Sequence, residues 1–290
     1  MRLLASIALA ALAAACSIRI DDASVFRPME HPAPAETVEQ LSRWPLGELQ
    51  AAVPEAEARH GFIDSGEARI AYTLVSKPGE DRPLIVYCGG NGSDRFNSGV
   101  YFAQKALPWG DIVMFDYPGY GDSPGPPSAG ALERAAPGLS ALARELSSGR
   151  DLVFWGHSLG GFVCSRLLRE TPEADGVILE ATARNALEIG QAWRPWYATP
   201  FVRLSVEENL ARFDVAEALG GFEGPILVLG ARRDRVLPVR LSRSLNQALR
   251  GHGSRVTYVE FPDAEHLDIS WQPDFPGAAA PFFASVAGQS

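Results

Sequence analysis

"LVFWGHSLGGFVCSRLL", residues 152–168, decides how the chain folds. A short apolar run without alternation, as in a strand covered on both faces, breaks at Gly156-His157-Ser158-Leu159-Gly160-Gly161. Apolar residues then resume at helical spacing. A serine between glycines, with a buried strand before it and a helix after it, has the setting of a nucleophile on a tight turn. Its hydroxyl must project from strained backbone, and side chains at 156 and 160 would collide with neighbouring main chain. The helix behind Ser158 aims its N-terminus at the site, which favours a developing negative charge. Gly-x-Ser-x-Gly alone also fits an ordinary strand–helix junction, so the surroundings must decide.

Working outward, the same signature recurs. Residues 60–76 contain two strand-like runs joined at Asp64-Ser65-Gly66, a hairpin pattern. Continuous apolar runs at 83–88, 111–117, 151–155, 175–181, 225–231 and 255–261 read as strands covered on both faces. Amphipathic stretches at 96–107, 129–147, 160–170, 207–219 and 239–250 lie between them. The alternation predicts a mostly parallel, doubly wound sheet in one α/β domain over residues 56–290. Residues 182–206 break the pattern with Trp193, Pro195, Trp196, Tyr197, Pro200 and Phe201. They read as a small lid over the sheet edge or as a packed surface excursion.

Catalytic groups in such a sheet gather at the carboxyl ends of its strands, which discriminates among the five histidines. His266 follows the last strand and lies at that edge, where it would serve as base. His252 precedes the same strand and falls at the opposite edge. His31 lies in the lead-in, His60 near the first strand, and His157 inside the turn, where it packs or hydrogen-bonds locally. The acid that orients the base should follow the penultimate strand, at Asp234, with Glu180 at the end of 175–181 as its rival. The order Ser158, Asp234, His266 is nucleophile, acid, base. Two backbone N–H groups are expected to form an oxyanion hole, one from Leu159 and one from the loop "CGGNGSD" after 83–88. That glycine-rich loop lacks the phosphate-binding pattern and its lysine.

The bulk numbers agree with an enzyme-sized domain. The 290 residues are 46% hydrophobic, enough for a sizeable core, and the net charge of −9 argues against a broad nucleic-acid-binding face. At the N-terminus, Arg2 precedes an apolar stretch from Leu3 to Ala15 that ends at Cys16. Its length and charge order suit an export signal better than a bilayer span. Residues 17–55 are polar and punctuated by proline, as in a tether and lead-in. Export would put Cys88 and Cys164 in an oxidising compartment where they could pair, although buried unpaired thiols are the favoured reading. No metal-ligand spacing is present, and neither a metal nor a cofactor is expected.

The stretches "YCGGNGSD" (87–94), "FDYPGYGDSPGPPS" (115–128), "GHSLGG" (156–161), "LEAT" (179–182), "LGARRDRVLP" (229–238) and "AEHLD" (264–268) together resemble α/β-hydrolase-fold serine hydrolases. Those with a "His-Gly-Asn-x-Gly" loop, the serine aminopeptidase-like and acylglycerol-lipase-like proteins, look most alike. The match covers roughly residues 60–270. It implies Ser158 as nucleophile, Asp234 as acid, His266 as base, and oxyanion N–H groups at Leu159 and at Asn91 or Gly90. Gly89 stands where these proteins usually carry histidine. The stretch 12–16 similarly resembles a bacterial lipoprotein signal, which implies lipidation of Cys16 and a lipid-anchored protein of the cell envelope.

The reading that follows is a serine hydrolase of carboxylic ester-type acyl bonds, working through an acyl-enzyme intermediate on a small-molecule substrate. A peptidase or an acyltransferase would use the same triad. A catalytically silent, tethered binding protein is the alternative outside enzymology.

Overall fold

The computed structural model describes residues 16–30, 33–65, 68–79 and 82–288. The expected export signal at 1–15, His31 and the hairpin residue Gly66 lie outside the described residues.

Near the N-terminus, β1 (Cys16–Ile20) is followed by three short helices, α1 (Asp22–Val25), α2 (Val38–Leu41) and α3 (Leu46–Gln50). The hairpin strands β2 (Glu57–Ser65) and β3 (Ala68–Ser76) come next. From there strand and helix alternate: β4 (Leu84–Cys88), α4 (Arg95–Ala106), β5 (Asp111–Phe115), α5 (Ala129–Ser147), β6 (Leu152–His157), α6 (Leu159–Glu170) and β7 (Gly176–Glu180). After an excursion containing α7 (Ala186–Trp193), β8 (Val202–Val206), α8 (Glu208–Ala211) and α9 (Val215–Ala218), the pattern resumes. It closes with β9 (Ile226–Ala231), α10 (Arg240–Gly251), β10 (Val256–Phe261) and α11 (Phe275–Ala287).

Eight strands form one sheet in the order β10-β9-β7-β6-β4-β5-β3-β2. Only the β2–β3 and β3–β5 pairs are antiparallel. Continuous apolar strands demand cover on both faces, and each strand divides its side chains between two core layers. In β6, Leu152 and Phe154 pack under α5 and α6, whereas Val153 and Trp155 face α4 and α11. The strand order reverses at β4: the chain leaves it outward to β5 and then returns on its other side to β6. Ligands bind outside the carboxyl ends of strands at such a switch point. Here those ends are Cys88 and His157, which open into the loops carrying Asn91 and Ser158.

Three regions differ from the sequence expectation. Residues 17–55, read as a tether and lead-in, hold ordered elements packed on the domain. Their apolar residues are sparse but well placed, so the polar composition hid them: Phe26, Leu41, Trp44 and Leu49 are all buried. The Asp22 carboxylate accepts from the Ala129 amide at the start of α5, and the Trp44 indole donates to the Arg95 carbonyl. The stretch 207–219 forms two helices because Asp214 caps the second, accepting from the Ala216 and Glu217 amides. Helix α11, rich in Ala, Gly and Pro, escaped notice, yet it buries Phe275, Phe282 and Val286.

Cys88 and Cys164, favoured as free thiols, form a disulfide with a Cα–Cα separation of 6.0 Å. It fastens the end of β4 to α6, two elements joined across 76 residues of sequence. Cross-linking so distant a pair removes much freedom from the unfolded chain. Replacing both cysteines by alanine should lower the free energy of unfolding by about 4 kcal/mol. Guanidinium titration of the parent and the double variant checks this, and coincident midpoints would contradict it.

Candidate active site

Ser158 sits between β6 and α6 with φ 54° and ψ −117°, a region that non-glycine residues avoid. The surroundings force it there. A methyl group on Gly160 would lie 1.9 Å from the Cys88 carbonyl oxygen, and one on Gly156 would lie 2.5 Å from that of Gly160. The strand and helix can approach so closely only without those side chains, as the sequence implied. Two further bonds fix the turn: the Ser158 amide donates to the Glu180 carbonyl at 2.9 Å, and the Thr182 hydroxyl donates to the Ser158 carbonyl at 2.7 Å. The backbone is thus held from both sides, and among the described residues no hydrogen bond engages the Ser158 hydroxyl, which faces a cavity.

The loops after β9 and β10 are stitched together, with Arg232 donating to the Phe261 carbonyl and Arg233 to that of Ala264. This stitching brings Asp234 to His266. The imidazole Nδ1 lies 2.7 Å from Asp234 Oδ2, and Asp234 Oδ1 accepts from the Val236 and Leu237 amides. A neutral imidazole that donates from Nδ1 carries its lone pair on Nε2, the nitrogen a base would use. Asp234 is buried and His266 partly exposed. No bond of hydrogen-bond geometry joins His266 Nε2 to the Ser158 hydroxyl among the described residues. Such contacts are often long in unliganded enzymes and tighten with substrate. The two side chains nevertheless share a neighbourhood through His157: its ring centroid is 4.9 Å from that of His266, and its Nε2–H donates to the His266 carbonyl at 2.9 Å.

Glu180, the rival acid, is occupied elsewhere. Its Oε2 lies 2.5 Å from the Lys105 ammonium and accepts from the Trp155 indole at 2.8 Å, with all three side chains buried. Burial opposes its ionisation, but Lys105, His157 and the Trp155 indole together outweigh that and hold the carboxyl below its usual range. Burial, reinforced by Lys105, pushes His157 down to about 4, so it stays neutral as a structural donor.

Leu159 is the first residue of α6, so its N–H belongs to the amides at a helix start that lack an intrahelical acceptor. The facing loop passes across Ser158: a methyl group on Gly90 would be 3.5 Å from Ser158 Cβ. The Asn91 side chain is committed to holding this loop, its Oδ1 accepting from the Arg27 amide at 2.8 Å and the Tyr120 hydroxyl at 2.9 Å. Tyr117 donates to the Gly89 carbonyl at 2.6 Å. Sequence reasoning did not foresee that the two tyrosines of "FDYPGYGDS" brace the loop opposite Ser158. It also missed Thr182 and Arg27. The "LEAT" stretch was a signal for Thr182, whereas nothing in the sequence pointed to Arg27.

The cavity above Ser158 has a volume of about 470 Å³ and a mostly apolar wall. The lid read at 182–206 forms one side through Ile189, Trp193 and Leu204, and the N-terminal segment forms another through Ile18, Ile20 and Phe26. β1 and β8 pair in parallel, Cys16 opposite Val202 through Ile20 opposite Val206. Arg19, Arg27 and Arg194 reach the cavity, and among the described residues no acidic side chain lines it.

A family model described as alpha/beta hydrolase fold matches residues 83–213. Lysophosphatidylserine lipase ABHD12 of Danio rerio is 28% identical over 225 residues, 69% of this chain and 58% of the relative. The protein of the same name from Rattus norvegicus is 29% identical over 209 residues, 66% of this chain and 52% of the relative. The chain therefore spans little more than half the length of these relatives. Among solved structures, the Pyrococcus furiosus esterase Pf2001 superposes with a TM-score of 0.62 at 16% identity, covering 91% of this chain and 98% of that one. A thermophilic esterase from Thermogutta terrifontis gives 0.56 at 19% identity, covering 79% and 99%. With the sheet order above, the architecture is the α/β-hydrolase fold, with a small lid at 182–206.

Two outcomes separate the carboxylates. Asp234→Asn should cut kcat by about a thousandfold or more while leaving the melting temperature in place. Glu180→Gln strands a buried ammonium and should instead cost about 3 kcal/mol of stability. Ester turnover and thermal melts on both variants check this, and a reversed pattern would move the acid to Glu180. His157 gives a pH signature. Its pKa is lower folded than unfolded, so the unfolded state protonates first and stability is lost as pH falls from 6.5 towards 4. The stability of the parent relative to His157→Gln should therefore decline by about 3 kcal/mol across that window, measured by denaturant titration.

Proposed function

We propose that the chain is a serine hydrolase of carboxylic esters, with Ser158 as nucleophile, His266 as general base and acid, and Asp234 as the carboxylate that orients it. The observation that carries this reading is the 2.7 Å contact of Asp234 with His266 beside a serine held in strained backbone. His266 Nε2 takes the hydroxyl proton as Ser158 Oγ attacks the acyl carbonyl. The tetrahedral oxyanion is received by the N–H groups of Leu159 and Asn91. His266 passes the proton to the departing alcohol, and a water activated by the same imidazole then frees the acid and the enzyme. The helix start at Leu159 supplies a favourable field for the oxyanion throughout.

The apolar cavity supports an acyl chain as the group bound beside Ser158. Arg27 and Arg194 favour an anionic function elsewhere on the same molecule, whereas Arg19 is already paired with Glu207 at 3.2 Å. A single-chain amphiphile with an acidic head meets both requirements, in keeping with the name of the curated relatives. We assign the chain to the cell envelope, with export directed by residues 1–15 and lipid attachment at Cys16. The Cys88–Cys164 disulfide is in accord with an oxidising compartment. No described helix is long and apolar enough to cross a membrane.

Ser158→Ala, His266→Ala and the double variant should each lower ester turnover by about ten-thousandfold, to a similar residual rate, because a triad acts as a unit. Turnover should rise with acyl chain length across a series of soluble esters. Additive losses in the double variant, or full activity in Ser158→Ala, would overturn the assignment.

A further inference from the structure

The lid's outer surface departs from what folding alone requires. Trp196, Tyr197 and Phe201 are 85%, 64% and 51% exposed, and Trp193 and Ile18 are also exposed. None of the first three lines the cavity, so neither core packing nor the substrate pocket accounts for them. In a chain of net charge −9, residues 191–205 contain Arg194 and Arg203 and no acid. Aromatic residues with cations beside them are the composition of a segment lying at a membrane interface.

The backbone register points to the same partner. β8 begins at Val202, which pairs with Cys16, so Phe201 is one residue from the strand position opposite Cys16. Cys16, proposed above to carry the lipid, therefore enters the domain beside the exposed aromatics. Trp193, whose indole donates to the Val236 carbonyl at 2.7 Å, lines the cavity and borders this surface.

We propose that the lid surface formed by Trp196, Tyr197, Phe201 and Arg203 docks on an anionic lipid bilayer, so that the cavity above Ser158 receives acyl substrates directly from the membrane. The aromatic rings settle among the headgroups, and Arg203 meets lipid phosphates. The two-stranded β1–β8 sheet ties this surface to the cavity wall, so docking and pocket move as one piece. The inference deepens the ester-hydrolase reading for the source of substrate. The docking itself stands on binding and does not depend on turnover.

The test uses the full chain, with sedimentation on vesicles of phosphatidylglycerol and phosphatidylcholine compared with phosphatidylcholine alone. The parent should bind the anionic vesicles, and the triple variant Trp196→Ser/Tyr197→Ser/Phe201→Ser should bind about tenfold more weakly. That variant should hydrolyse a water-soluble short-chain ester at the parental rate. Arg203→Glu, a single exposed change that does not threaten folding, should weaken binding to anionic vesicles by about fivefold or more and leave phosphatidylcholine binding unaltered. Equal binding by parent and both variants would overturn the proposal, because residues 1–16 would then carry all the affinity. Absence of vesicle binding by the parent would overturn it too. So would a concentration-dependent dimer of the parent that the triple variant abolishes, since a second copy would then be what covers the patch. If the parent binds as expected but hydrolyses no ester, the hydrolase reading fails and the docking surface stands.

Discussion

Ser158 is held in a backbone conformation that costs about 1–3 kcal/mol, and its closely packed neighbours keep it there. β6 and α6 approach so closely that Gly156 and Gly160 admit no side chain. The disulfide fastens α6 to β4, and Thr182 closes the turn from the side of β7. A strained residue persists only where its neighbours leave no relaxed alternative. Here every neighbouring strand end contributes one restraint, which is why the turn lies at the switch point of the sheet and not at its edge.

The rest of the site depends on that fixed point. The loop at 89–91 is braced from outside by Tyr117, Tyr120 and the Arg27 backbone, so the amides opposite Ser158 are set before substrate arrives. Preorganised donors of this kind need no rearrangement when charge develops. The buried pair of Lys105 and Glu180 sits behind the turn, and neutral His157 donates to the His266 carbonyl. The polar groups behind Ser158 thus hold position, and on the proposed reading proton transfer falls to His266 alone, with Asp234 orienting it.

Much of this was legible in the sequence because it rests on local rules. The buried strands announced themselves as unbroken apolar runs, and strand ends located Ser158, Asp234 and His266 without coordinates. Glu180 could be separated from Asp234 only in three dimensions, since Glu180 ends one strand, Asp234 follows another, and the ion pair with Lys105, distant in sequence, is what engages Glu180. The lead-in misled because a few residues, Phe26, Trp44 and Leu49, anchor a polar segment, and average composition cannot reveal sparse anchors. Pairing of β1 with β8 was likewise invisible, because it joins residues some 186 positions apart. The disulfide required Cys88 and Cys164 to face each other across strand and helix, a fact of packing and not of spacing.

The account stands on the hydroxyl of Ser158 being the activated nucleophile of the molecule. The most direct measurement is to treat the full chain with a fluorophosphonate and locate the adduct by peptide mass spectrometry. The account predicts one phosphonyl group per chain, carried on Ser158, with loss of ester turnover in step with labelling. Labelling of a different serine, or ester turnover that persists while Ser158 is fully modified, would contradict it.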